Sequence, residues 1–213
     1  MHVLVIGAAG TTGRLVVQSL SENIQHHVKA MVRKTDQMTD MEKLGARPIL
    51  ADLEQDFSYA MNDVNAVIFA AGSGPSTGPD KTTAVDRDGA IKAIDLAAAH
   101  GIERFIMLSS LGADRPDAGP EAMQHYLQAK HDADAHLMKS GLTYTIVRPA
   151  ALTNDPPSGK ISADVQIVDR AGSISRADVA EVLVQCLTCD HTQNRTFEMV
   201  SGDDPIADAL KRI

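Results

Sequence analysis

Short apolar runs alternate with longer stretches of helical periodicity along most of the chain. Val3 to Ile6, Val28 to Val32, Pro48 to Leu50, Ala66 to Ala70, Phe105 to Leu108 and Thr143 to Val147 have the length and composition of strands covered on both faces. Between them, Thr12 to Leu20, Asp36 to Leu44, Thr83 to His100 and Glu121 to Ser140 read as helices. Gly45, Gly101 and Gly141 stand where three of these helices must stop. In the third, Val85, Ile91, Ile94 and Ala98 are expected on the buried side. Strands separated by helices of this length imply parallel βαβ units with right-handed crossovers, and two such halves make a doubly wound α/β sheet.

The pattern changes after Pro149. Asn154 to Gly159 is a loop, Arg176 to Leu187 a helix with Val179, Val182, Leu183, Cys186 and Leu187 on one stripe, and Thr196 to Val200 a last strand. Ser175 and Asp178 have the spacing of a capping box. No repeat or linker divides the chain. The expectation is one domain over 1–213 with a small C-terminal lobe formed mainly by 150–175 and 189–213, against which the helix from Arg176 packs.

Hydrophobic residues make up 44% and charged residues 23%, a globular composition, while aromatics are only 3%, so the core must be aliphatic. The net charge of −8, without a Lys/Arg-rich stretch, argues against a nucleic-acid partner. The apolar runs are too short for a membrane span. The N-terminus runs straight into a strand, so no secretion signal and a reducing, cytoplasmic setting are expected. Cys186 and Cys189 form a C-x-x-C near a helix end without a second ligand pair, and are read as structural. His125, His131 and His136 do not stack on one helix face and are read as surface residues. Asp132 and Asp134 fall on different sides of the same helix, so no paired-carboxylate site is expected. No metal site is expected.

The strongest local signal is Gly7-Ala8-Ala9-Gly10-Thr11-Thr12-Gly13, which directly follows a buried strand and opens a helix. Gly7 permits the tight turn, Gly10 lets backbone approach a pyrophosphate, and Gly13 lets helix and strand pack closely. The first-turn N–H groups of the helix then face the phosphates. This is the dinucleotide fingerprint of a Rossmann domain. The second strand ends Met31-Val32-Arg33-Lys34-Thr35. Where an acid would bond the ribose 2′-hydroxyl of NAD, Arg33 and Lys34 suit the 2′-phosphate of NADP; Asp36 falls late and is expected to cap a helix. NADP is the expected cofactor, with NAD possible.

The sequence resembles the short-chain dehydrogenase/reductase superfamily, and within it the atypical NAD(P)-binding, NmrA-like group that includes sugar epimerases and epimerase/dehydratases. The resemblance rests on the glycine loop, Ala51-Asp52-Leu53, Ala70-Ala71-Gly72, Leu108-Ser109-Ser110, Arg148-Pro149 and Ser175-Arg176-Ala177-Asp178-Val179-Ala180. It implies that Ala9, Thr11 and Thr12 join the glycines at the cofactor, that Asp52 and Leu53 line the adenine, and that Ala70, Ala71 and Gly72 border the ribose. Pro149, Ala150 and Ala151 would lie near the nicotinamide amide, with Ser109 on the cofactor side. Tyr126 and Lys130 match the Y-x-x-x-K of the superfamily. On one helix face, the Lys130 ammonium would favour the Tyr126 phenolate and hold the nicotinamide ribose. Ser110 is favoured over Ser109 as the serine that orients the substrate oxygen. Asp86 stands where the superfamily has an asparagine.

These matches imply an NADP(H)-dependent oxidoreductase or epimerase acting on a small carbonyl or hydroxyl compound, as monomer or homodimer. The short stretch beyond Pro149 favours a compact carbonyl compound over a nucleotide-sugar. The alternatives are a non-catalytic NAD(P)-binding redox sensor and, further off, a flavin or tetrapyrrole reductase.

Overall fold

The computed structural model describes residues 1–74, 77–168 and 170–213. Its centre is a twisted sheet in which β1 (His2–Ile6), β2 (His27–Val32), β3 (Arg47–Leu50), β4 (Ala66–Phe69), β5 (Arg104–Leu108) and β6 (Thr143–Pro149) run parallel in the order β3-β2-β1-β4-β5-β6. This is the doubly wound Rossmann arrangement. The chain reverses direction of winding between β1 and β4, and the crevice so opened lies at the carboxyl ends of those strands.

The sheet continues beyond β6 with residues expected to form the small C-terminal lobe. β10 (Arg195–Ser201) runs parallel to β6, β8 (Lys160–Asp164) antiparallel to β10, and β11 (Asp204–Pro205) antiparallel to β8. β7 (Ala151–Thr153) and β9 (Ser173–Ser175) form a parallel two-stranded ribbon of their own.

Alternation along β1 divides the core between the two faces of the sheet. Val3 and Val5 face α1 (Thr11–Ser21), α2 (Met38–Lys43), α6 (Arg176–Gln185) and α7 (Ile206–Leu210). Leu4 and Ile6 face the other layer, with Phe57, Ala60 and Met61, α4 (Ala90–Ala99) and α5 (Glu121–Lys139).

Three expectations are corrected here. The stripe of α6 packs on Val16, Val17 and Leu20 of α1 and on the sheet as well as on Ile206, Ala209 and Leu210 of α7, rather than on the C-terminal lobe alone. The expected helix from Thr83 is a composite. A short α3 (Pro79–Lys81) leads into a π-helical stretch, Thr82–Gly89, and only then into α4. The wide turn shifts the register, so Ala90, Ala93, Ile94 and Ala97 take the buried side, while Val85 and Ile91 lie at its margin and Ala98 is exposed. Finally, Asp36 does not cap a helix. The side chain of Gln37 accepts from the N–H groups of Arg33 and Lys34, which locks the exit of β2. At α6 the Ser175 hydroxyl does accept from the Asp178 N–H at 3.0 Å. The Asp178 carboxylate is buried; it accepts from the Ser175 hydroxyl at 2.8 Å and from the N–H groups of Ser158 and Gly159 at 3.0 and 2.8 Å.

Candidate functional site

The glycine loop leaves β1 at Gly7, whose φ of +84° is a left-handed conformation. An ideal Cβ there would lie 2.6 Å from the backbone of Ala71, so β1 and β4 exits touch directly. The Gly7 carbonyl accepts from Gly10 N–H at 2.9 Å and closes the turn. A Cβ on Gly13 would meet that same carbonyl oxygen at 2.1 Å. Gly10 is the N-cap of α1 and no side chain caps the helix. The first-turn amides therefore keep their hydrogen-bonding capacity for something outside the chain. A Cβ-free bend, a helix start without a capping side chain and no acid in the first turn together fit a diphosphate.

Arg33 and Lys34 are exposed at the carboxyl end of β2, the strand next to β1. Among the described residues neither has an ion-pair partner. Asp52 is half-buried, its Oδ1 accepting from Glu54 N–H at 3.0 Å in a local turn. Leu53 is buried against Gly89, and its carbonyl takes the Lys92 ammonium at 2.8 Å.

A second cluster adjoins the β4 exit. Asp86, from the π-helical stretch, is fully buried; its Oδ2 accepts from Ser73 N–H at 2.9 Å and its Oδ1 lies 3.0 Å from Lys130 Nζ. A Cβ on Gly72 would lie 3.2 Å from the same Oδ1. Lys130 Nζ also donates to the Leu108 carbonyl at 3.4 Å and sits 5.7 Å from the centre of the Tyr126 ring. Burial alone would discharge this ammonium. Tyr126, Asp86 and Asp134 outweigh that cost and hold Lys130 above its ordinary value. The π-helical turn is what aims Asp86 inward, between Gly72 and Lys130.

The two serines separate. Ser109 is buried, its hydroxyl donating to Asp134 Oδ2 at 2.8 Å, so it is committed to the protein interior. Ser110 is half-buried and its hydroxyl makes only a long bond, 3.3 Å, to the carbonyl of Leu111. Ser109 N–H bonds Val147 O at 2.8 Å and Leu111 N–H bonds Pro149 O at 2.9 Å, so the serine strand and the Arg148-Pro149 strand stay in register past their ends. Ala150 N–H bonds Met199 O at 2.9 Å, while Ala151 is exposed at the start of β7. The fold thus brings together the glycine loop, Ala70 to Gly72, Asp86, Lys130 and Tyr126, with Ser110 and Pro149 at adjoining strand ends. Arg33, Lys34 and Asp52 lie at the other side, along the exits of β2 and β3.

Sequence reasoning missed Asp134 and Arg148 as a buried ion pair: Arg148 Nε donates to Asp134 Oδ2 at 3.0 Å, and its Nη2 stands 2.9 Å from the same oxygen. The available signal was the spacing Tyr126, Lys130, Asp134, a single helix stripe at i, i+4 and i+8. Also missed was the clasp in which Arg170 grips Asp114 through two bonds of 3.1 and 2.9 Å and buried Glu198 at 2.5 Å. His131 is half-buried, 2.8 Å from the Ala113 carbonyl, rather than on the surface; His125 is exposed, and His136 pairs with Asp95. Cys186 is buried and desolvation pushes its thiol up to about 12, which removes the thiolate that redox or metal chemistry needs. Among the described residues no helix is long and apolar enough to cross a membrane.

Comparison with known proteins agrees with this geometry. The profile of a family described as NAD(P)H-binding matches residues 7–190. Over 216 aligned residues, spanning all of both chains, the sequence is 46% identical to a Bacillus subtilis protein named an uncharacterized sugar epimerase, YhfK. A Bacillus halodurans structure, provisionally described as an NAD-dependent epimerase/dehydratase, covers both chains entirely at 45% identity and a TM-score of 0.97. The Lactococcus lactis oxidoreductase ylbE superposes with a TM-score of 0.89 at 27% identity, over all of this chain and 96% of that one.

Proposed function

This chain belongs to the NAD(P)H-binding family, and on that premise we propose that it is an NADP(H)-dependent oxidoreductase or epimerase acting on a small carbonyl or hydroxyl compound. The observation that carries the reading is the buried Asp86–Lys130 ion pair of 3.0 Å beneath Tyr126, set directly against the β4 exit that touches the glycine loop. A charged lysine held in the interior beside a half-exposed phenol is an arrangement for moving a proton.

In this reading the loop from Gly7 to Gly13, including Ala9, Thr11 and Thr12, holds the diphosphate. Arg33 and Lys34 receive the 2′-phosphate, which favours NADP over NAD, because a guanidinium fork and an ammonium at an exposed strand end have no carboxylate partner among the described residues. Asp52 and Leu53 border the adenine, Ala70 to Gly72 the ribose, and Pro149 to Ala151 the nicotinamide. A bound nicotinamide supplies a two-electron hydride donor or acceptor. Tyr126 Oη gives or takes the proton of the substrate hydroxyl. Lys130 favours the phenolate and is itself kept charged by Asp86. Ser110, whose hydroxyl is not committed inside the protein, orients the substrate oxygen; Ser109 is a support residue.

The test is purified protein with NADPH and a panel of carbonyl compounds and quinones, followed by nicotinamide absorbance. Turnover that falls by about 10²-fold or more in Tyr126→Phe, at unchanged NADPH affinity, is the expected result. Tight binding without turnover on any substrate overturns it in favour of a non-catalytic sensor of NADP(H).

A further inference from the structure

We propose that Asp134 is a positioning residue that fixes the nicotinamide side of the site; this rests on the function just proposed. Asp134 is fully buried on the stripe of α5 that carries Tyr126 and Lys130. One oxygen, Oδ2, accepts from the Ser109 hydroxyl at 2.8 Å and from Arg148 Nε at 3.0 Å, and Arg148 Nη2 stands 2.9 Å from it in the ion pair. Ser109 directly precedes Ser110. Arg148 directly precedes Pro149, Ala150 and Ala151. A single carboxylate oxygen therefore bolts the two strand ends that flank the nicotinamide side to the helix that supplies the phenol and the ammonium.

Charge supports the same assignment. Asp86, Lys130, Asp134 and Arg148 are all buried, two acids against two bases. Replacing Asp134 by a neutral residue leaves the quartet with an excess positive charge beside Lys130. The second oxygen, Oδ1, is buried and has no hydrogen-bond partner among the described residues. An acid kept only for packing gains nothing from an unsatisfied oxygen, whereas one that sets the position and charge of two neighbouring strand ends is fixed by those duties. Among the described residues nothing ties Asp134 to the glycine loop or to Arg33, so its influence is confined to one half of the coenzyme.

That confinement supplies the test. Dissociation constants are measured for NADPH and for 2′,5′-ADP, which carries the 2′-phosphate but no nicotinamide. Asp134→Asn is expected to weaken NADPH by about tenfold or more and to leave 2′,5′-ADP unchanged within twofold. Asp134→Glu, which keeps the charge, restores part of the NADPH loss. Ser109→Ala, which keeps the ion pair, gives a smaller loss of the same kind, with a thermal melt beside it to show that the protein is folded at the titration temperature. If Asp134→Asn does not fold, the Glu and Ser109 variants decide. Equal weakening of both ligands, or no change in NADPH binding, overturns the assignment. A wild-type protein that binds neither probe overturns the proposed function first, and this assignment with it.

Discussion

Replacing Gly13 by alanine probes the glycine loop where its packing is tightest. The new Cβ would lie 2.1 Å from the Gly7 carbonyl oxygen and 2.9 Å from its carbon. Both are backbone atoms, so no side-chain rotation relieves the contact. Restoring an ordinary separation of about 3.5 Å requires loop and helix to part by roughly 1.4 Å. Alanine's better helix propensity returns about 1 kcal/mol, against about 1–3 kcal/mol for overpacking. A net loss of up to about 2 kcal/mol lowers the melting temperature by up to roughly 8 °C in a domain of this size.

The larger effect falls on the coenzyme. A hydrogen bond to a charged group contributes about 1.5–3 kcal/mol, so misplacing two first-turn amides weakens binding by at least about 10²-fold. Calorimetric titration with NADPH and NADH, beside a thermal melt, reads both quantities. Gly141→Ala is the control. Its φ of +81° makes alanine strained, but nothing lies within 4 Å of the new atom. It should cost about 1–2 kcal/mol and leave affinity unchanged. A Gly13→Ala protein that binds coenzyme like wild type refutes the reasoning, as does a Gly141→Ala protein whose affinity falls along with its stability.

Arg33→Glu should raise the NADPH dissociation constant by about 10–100-fold through loss of a charge-assisted fork, with NADH within about threefold, as parallel titrations would show; equal losses for both would remove Arg33 from the 2′-phosphate site. Burial pushes the Asp114 carboxyl up, but the hydrogen bond and charge of Arg170 outweigh it and hold it below its ordinary 3.8. The Asp114–Arg170 clasp therefore stabilises the fold above pH 3.8 and is lost as the pH falls through the depressed value. Asp114→Asn should cost about 1 kcal/mol at neutral pH and flatten the acid limb of the unfolding free energy below pH 3.8. Glu198, on the same arginine, is raised by burial, so its own contribution runs the other way: its proton is favoured by folding, and stability from it declines as the pH rises. With Cys186 pushed up to about 12, iodoacetamide at pH 8 should label Cys189 in the folded protein and reach Cys186 only after unfolding; rapid native labelling of Cys186 would contradict its burial.

Local signals were legible in the sequence and long-range ones were not. Gly7 to Gly13 is a contiguous motif whose chemistry depends on its own backbone, and the flanking strand and helix follow from periodicity. Tyr126 and Lys130 are four residues apart on one helix, so their juxtaposition needs no tertiary knowledge. Asp134 lies on the same stripe, but its partners Ser109 and Arg148 come from two different strands, and only the sheet order makes them neighbours. The Arg170 clasp joins segments 56 and 28 residues apart. The short strands β7, β9 and β11 are too brief for alternation to register. The π-helical stretch is a change of hydrogen-bond register, which apolar spacing reports only as an imperfect helix.

Under the proposed function, that wide turn makes the chemistry depend on chain length as much as on side-chain identity. Deleting one residue between Asp86 and Gly89 would let the segment relax to ordinary helical pitch, with better backbone hydrogen bonds, and would rotate Asp86 by about 100° relative to α4. The carboxylate would swing away from Lys130 though neither partner had been substituted. A sequence with every functional side chain intact could thus be firmer and inert, and insertions or deletions here are a quicker route to a purely binding descendant than any point mutation.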